Sequence, residues 1–102
     1  MKRMHVQIQP SLSANLDIDA ATMRLHAFAP VVVTRGEDDG PYINIDFEPT
    51  DSKVLWGMVR DQLMADPDLA ACSIVCCEGE HGWDAYLLLH HFDPAVSLDI
   101  QK

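Results

Sequence analysis

Apolar and polar residues alternate most cleanly over Tyr42–Glu48. Ile43, Ile45 and Phe47 fall on one side, and Tyr42, Asn44, Asp46 and Glu48 on the other. That is the period of a strand with one face buried. The same alternation runs from Met4 to Gln9 and stops at Pro10. Leu16–Asp19 alternates once more, so residues 1–20 read as an extended arm or as edge strands. Met23–Arg35 is mostly apolar and β-rich with Pro30 inside it. A proline there implies a bulge, an edge position or two short strands meeting at a bend.

After Pro49 the period changes. Val54, Leu55, Met58, Val59, Gln62 and Leu63 recur at helical spacing, which predicts an amphipathic helix over about residues 50–65. Thr50 is the expected N-cap, with Asp51 in the first turn. Asp66-Pro67-Asp68 ends the helix or opens another. Ala71–Glu78 then reads as a strand, with a short helix over 69–77 as the alternative. Gly79-Glu80-His81-Gly82 turns the chain, and Trp83–Phe92 returns as a strand. A four-residue loop sets Glu78 opposite Trp83, Cys76 opposite Ala85 and Ile74 opposite Leu87. Val75, Tyr86 and Leu88 then lie on a face that no predicted helix covers. Gly36–Gly40 is a hairpin loop by composition, and Val96–Ile100 is a candidate final strand.

Strands around one helical segment predict a two-layer α+β domain. The expected form is an antiparallel sheet of four to six strands with one main helix on one face. It is a single domain over residues 1–102, with 42–94 as its strand–helix–hairpin core. At 102 residues, with 48% hydrophobic positions, the chain is long enough to fold without a disulfide or metal. No apolar run approaches the roughly 20 residues of a membrane-spanning helix. The basic start Met1-Lys2-Arg3 has no apolar run behind it, so no secretory signal is expected. The cysteine number is odd, at three. Cys72 and Cys76 would stand about 13 Å apart along a strand, too far for a disulfide. Free thiols and a cytoplasmic location follow as the expectation.

Charge changes the functional picture. The formal net charge is −9. All but two of the sixteen acids lie beyond Arg35, and no Lys or Arg occurs from Asp61 to Gln101. Such a surface repels a phosphate backbone, so no nucleic-acid partner is expected. It suits a protein partner with a basic surface.

Candidate chemistry gathers at the second hairpin, where Cys76, Cys77, Glu78, Glu80, His81 and Asp84 are close in sequence. Only Cys77 and His81 have a zinc-like gap, without the second pair that a structural zinc site uses. Cys77, His81 and Asp84 are the candidate set for a thiol- or metal-dependent hydrolase, but no oxyanion donor accompanies them. The turn carboxylates lack the burial that tunes a general acid. The residues therefore favour a non-enzymatic binding protein of the immunity-protein, inhibitor or adaptor type, without cofactor. Its expected binding residues are Tyr42, Asp46, Glu48, Glu80, Asp84, Tyr86 and Leu88, and it is expected to form a homodimer through the open sheet face or an edge strand. The alternative is a small-ligand or metal-binding module, its groove between helix and sheet lined by Trp56 and Trp83.

Overall fold

A computed structural model describes residues 3–12, 15–28, 31–36, 42–48 and 51–99; for 18, 31–36 and 42 it describes the backbone alone. Strand β1 (Met4–Ile8) leads through a short 3-10 turn (Pro10–Leu12) to helix α1 (Ile18–His26) and strand β2 (Val31–Gly36). Strand β3 (Tyr42–Phe47) precedes helices α2 (Ser52–Ala65) and α3 (Pro67–Ala70), and strands β4 (Ser73–Gly79) and β5 (Gly82–His90) follow. The sheet order is β2-β3-β1-β4-β5, and every neighbouring pair is antiparallel. The first four strands with α1 and α2 form two interlocked split βαβ units; β5 extends the sheet by a hairpin. This is the two-layer α+β domain that the periodicities predict.

Three features depart from expectation. Residues 4–8 are no arm or edge strand. β1 is central, pairing Met4 with both Phe47 and Cys77 and Val6 with both Ile45 and Val75. The second feature is a further helix, α1, over a segment whose alternation predicts strand. Asp17 caps it, accepting from the Ala20 amide at 3.0 Å, and Ala21 and Leu25, one turn apart, are fully buried. Helical pairing of these two residues outweighs the four-residue alternation at Leu16–Asp19. The third is that Val96–Asp99 forms no strand.

Helix α2 spans the predicted segment, but its N-cap is Asp51, whose carboxylate accepts from the Lys53 and Val54 amides. Thr50, Pro30 and residues 37–40 of the predicted hairpin loop lie outside the described residues. Asp66 closes α2 and caps α3, accepting from the Leu69 amide at 3.2 Å, with Pro67 at the first helical position. Its second carboxylate oxygen accepts from Arg24 at 2.8 Å, which ties α1 to the α2–α3 junction.

The core is one cluster on one face of the sheet. Met4, Val6 and Ile8 of β1, Ile43, Ile45 and Phe47 of β3, and Val75 and Cys77 of β4 pack with Ala21, Leu25, Leu55, Val59, Leu63 and Leu69 of the helices. Both crossover helices therefore cover the same side. The opposite face has no covering element among the described residues.

The β4–β5 hairpin also departs from the expected register. Gly79 pairs Gly82, so the turn is only Glu80-His81, and Gly82 takes φ +68°, a conformation suited to glycine. Cys77 then pairs Leu87 and Cys76 pairs Leu88. Trp83–Tyr86 bulge out opposite Glu78 alone. A second irregularity places Leu89 between the residues opposite Cys76 and Val75, and Leu89 is buried.

Candidate functional site

On the open face, β1 and β3 carry a ladder of directly opposed polar pairs. Gln7 Nε2 donates to Asn44 Oδ1 at 3.5 Å, His5 Nδ1 meets Asp46 Oδ1 at 2.6 Å, and Arg3 bonds Glu48 at 3.2 Å. Gln9 extends the row by donating to Gln7 at 3.1 Å. Beside it on β4 stand half-buried Ile74, Cys76 and Glu78, with half-buried Leu88 of β5 opposite Cys76. The face is thus polar over β1 and β3 and apolar along β4 and β5.

The acids collect at one end of this face. β1 begins, β3 ends and β4 ends on the same side, as the pairing of Met4 with Phe47 and Cys77 requires. Asp46, Glu48, Glu78, the turn residue Glu80 and the bulge residue Asp84 therefore lie together. Arg3 is the base among them, its carbonyl accepting from the Glu78 amide at 3.0 Å. Exposed Trp83 (43%) and Tyr86 (55%) flank this end.

Of the expected binding residues, Asp46, Glu48, Glu80, Asp84, Tyr86 and Leu88 are brought to this face or its hairpin end. Tyr42 opens β3 opposite Gly36, and its side chain is outside the described residues. Val75 is corrected: it is fully buried beneath the helices, and Ile74 and Cys76 take the open side. The turn keeps the expected register, but the bulge moves the partner of Cys76 from Ala85 to Leu88, an odd shift, which exchanges the faces of β4 relative to the expected assignment. His5 and Gln7 are legible as a polar alternation but not as part of this face, because alternation alone sets their strand at an edge.

The hydrolase alternative is not assembled. Cys77 is fully buried on the helix side, its thiol directed to the Glu78 carbonyl at 3.4 Å, while His81 and Asp84 are exposed in the turn and bulge. Among the described residues no three His, Cys, Asp or Glu side chains converge as a metal site. None of the three cysteines is in a disulfide. Burial and the Asp66 and Asp68 carboxylates push the Cys72 thiol up to about 11. Burial first, then Cys77 and Asp99, raises that of Cys76. Neither thiol is disposed toward the thiolate that nucleophilic attack needs.

The helix side holds a concave feature. A cleft of about 360 Å³ is lined by Trp56, Arg60, Leu63, Met64, Ala70, Leu89, His90 and Leu98. It lies between α2, α3, β5 and the segment after β5. Trp56 lines it as expected, whereas Trp83 stands outside it. His90 Nε2 meets the Ala70 carbonyl at 2.9 Å. The segment carrying Leu98 is held to β5 at Leu88, whose amide donates to Asp99 Oδ2 at 2.8 Å and whose carbonyl accepts from the Asp99 amide at 2.7 Å.

No family model, curated protein or solved structure matches the chain. Among the described residues no helix is long and apolar enough to cross a membrane.

Proposed function

We propose that this chain is a non-catalytic binding protein that engages a basic surface of another protein through the acidic end of its open sheet face. The observation that carries the reading is the gathering of Asp46, Glu48, Glu78, Glu80 and Asp84 at one end of the sheet, opposed by Arg3 and flanked by exposed Trp83 and Tyr86. Acidic residues around aromatic anchors provide steering and a desolvated contact at once. The apolar strip of Ile74, Cys76 and Leu88 supplies area to bury beside it. Such a surface supports the reading of an inhibitor, immunity protein or regulatory adaptor that acts by occlusion. A cytoplasmic setting is part of the proposal, supported by three cysteines outside any disulfide. So is a homodimer on the apolar strip when the partner is absent, which the partner then displaces, since Asp99 already occupies the β5 edge at Leu88.

The test is capture by the full chain from its native host at low and high salt, with Glu80→Lys/Asp84→Lys as the control bait. A partner with a basic surface whose retention falls with salt and with the double substitution supports the reading. Retention of every captured protein by the double variant sinks it. Light scattering at tens of micromolar tests the dimer separately, where a monomer mass removes that element.

A further inference from the structure

The cleft on the helix side is chemically unlike the rest of the molecule. In a chain of net charge −9, none of the eight described residues that line it is acidic. Leu63 and Leu89 form a buried apolar floor, and Met64 (76% exposed) and Leu98 (50% exposed) form an apolar rim. Among the described residues, Arg60 and His90 are the only ionisable side chains of the lining. His90 turns Nε2 to the Ala70 carbonyl oxygen, which only accepts, so this nitrogen bears a proton and is already engaged. Arg60 supplies the fixed positive charge. Among the described residues its guanidinium has neither an ion pair nor a hydrogen bond.

We propose that this cleft binds a small amphipathic monocarboxylate, its aliphatic body against Trp56, Leu63 and Leu89 and its carboxylate on Arg60. The volume is that of a small-molecule site. Apolar lining rewards an apolar body, and the planar guanidinium fork matches a carboxylate with two parallel hydrogen bonds. A phosphate ester fits less well: its extra charge and stronger hydration call for several converging donors, and among the described lining residues Arg60 is the one fixed cation. A cationic ligand would meet Arg60 directly. This site is on the opposite layer from the acidic sheet end, so the proposal stands or falls independently of the partner-binding reading.

The experiment uses the full chain carrying Trp83→Phe, which leaves Trp56 as the sole indole. Sodium octanoate and its uncharged analogue octan-1-ol are titrated and followed by Trp56 fluorescence. Octanoate is expected to saturate with Kd between about 10 µM and 1 mM. Arg60→Gln should weaken octanoate about tenfold or more while leaving octan-1-ol within about twofold. Leu98→Glu, at an exposed position, should weaken octanoate because it sets a carboxylate beside the ligand's own. Glu80→Lys/Asp84→Lys should leave octanoate binding unchanged, which separates this site from the sheet face. No saturation by octanoate up to about 10 mM, equal response to octanoate and octan-1-ol, or indifference to Arg60→Gln would each overturn the proposal.

Discussion

Gly79 lies against the backbone of Ala85: a Cβ built on Gly79 would stand 1.9 Å from the Ala85 carbonyl oxygen. The bulge of Trp83–Tyr86 folds that carbonyl over Gly79, so the hairpin that presents Glu80 and Asp84 depends on the missing side chain. Gly79→Ala should lower stability by about 2 kcal/mol or more, since two backbones must separate. At Gly57 in α2 an added Cβ would meet nothing within 4 Å, so Gly57→Ala should stabilise by about 0.5–1 kcal/mol through helix propensity. Urea unfolding of both variants checks the opposite signs.

Asp99 satisfies both backbone groups of Leu88 on the outer edge of the sheet. Asp99→Ala should cost about 1 kcal/mol and speed hydrogen exchange at the Leu88 amide ahead of that at the amides of β1. Unchanged protection at Leu88 would show that the segment after β5 holds its place without this carboxylate.

Cys72 is fully buried, and its thiol is pushed up to about 11 from 9.0. The folded state therefore binds the thiol proton more tightly than the unfolded chain, so this contribution to stability is complete below pH 9 and is lost as pH rises from 9 towards 11. Cys72→Ala should be less stable than the parent at neutral pH, from the lost packing and the thiol contacts to the Asp68 and Leu69 carbonyls. That gap should narrow above about pH 9. Parallel denaturant titrations at about pH 7, 9 and 10.5 measure it.

Thr22 in α1 buries its hydroxyl oxygen without a hydrogen-bond partner among the described residues. An unmet buried hydroxyl costs more than a methyl group in the same place. Thr22→Val should raise stability by about 0.5–1 kcal/mol, read as a higher thermal midpoint. A fall in midpoint would mean that the hydroxyl is hydrated or paired in solution.

Strand β3 and helix α2 are legible in the sequence because each carries one uninterrupted period, and the hairpin around Gly79–Gly82 because its turn residues are legible. Helix α1 is not. Among the described side chains its buried stripe is only Ala21 and Leu25, too few apolar positions to outvote the alternation just before it, and the decisive signals are the Asp17 cap and the propensity of Ala20 and Ala21. The open face is half legible. Asp46 and Glu48 follow directly from alternation along β3. Cys76 and Val75 exchange sides because face assignment on β4 depends on β5, whose two irregularities sequence period does not reveal. A groove beside Trp56 follows from the position of that residue off the main helical stripe, but the same periodicity turns Arg60 to water. Leu98 joins the cleft through a tertiary hydrogen bond that no local pattern encodes.

The strand nearest the start of the chain sits at the middle of the sheet. His5 meets Asp46 across 41 positions, and the other side of β1 waits for β4, later still. During synthesis one edge of β1 therefore stays unpaired until β3 has emerged from the ribosome, and the other until β4 has. Sheet closure is a late, non-local event, which places folding toward the millisecond-to-second range rather than the microsecond one. Until then the nascent chain presents Met4, Val6 and Ile8 as an open strand, which makes the interval before β4 is made the period of greatest exposure to misassociation.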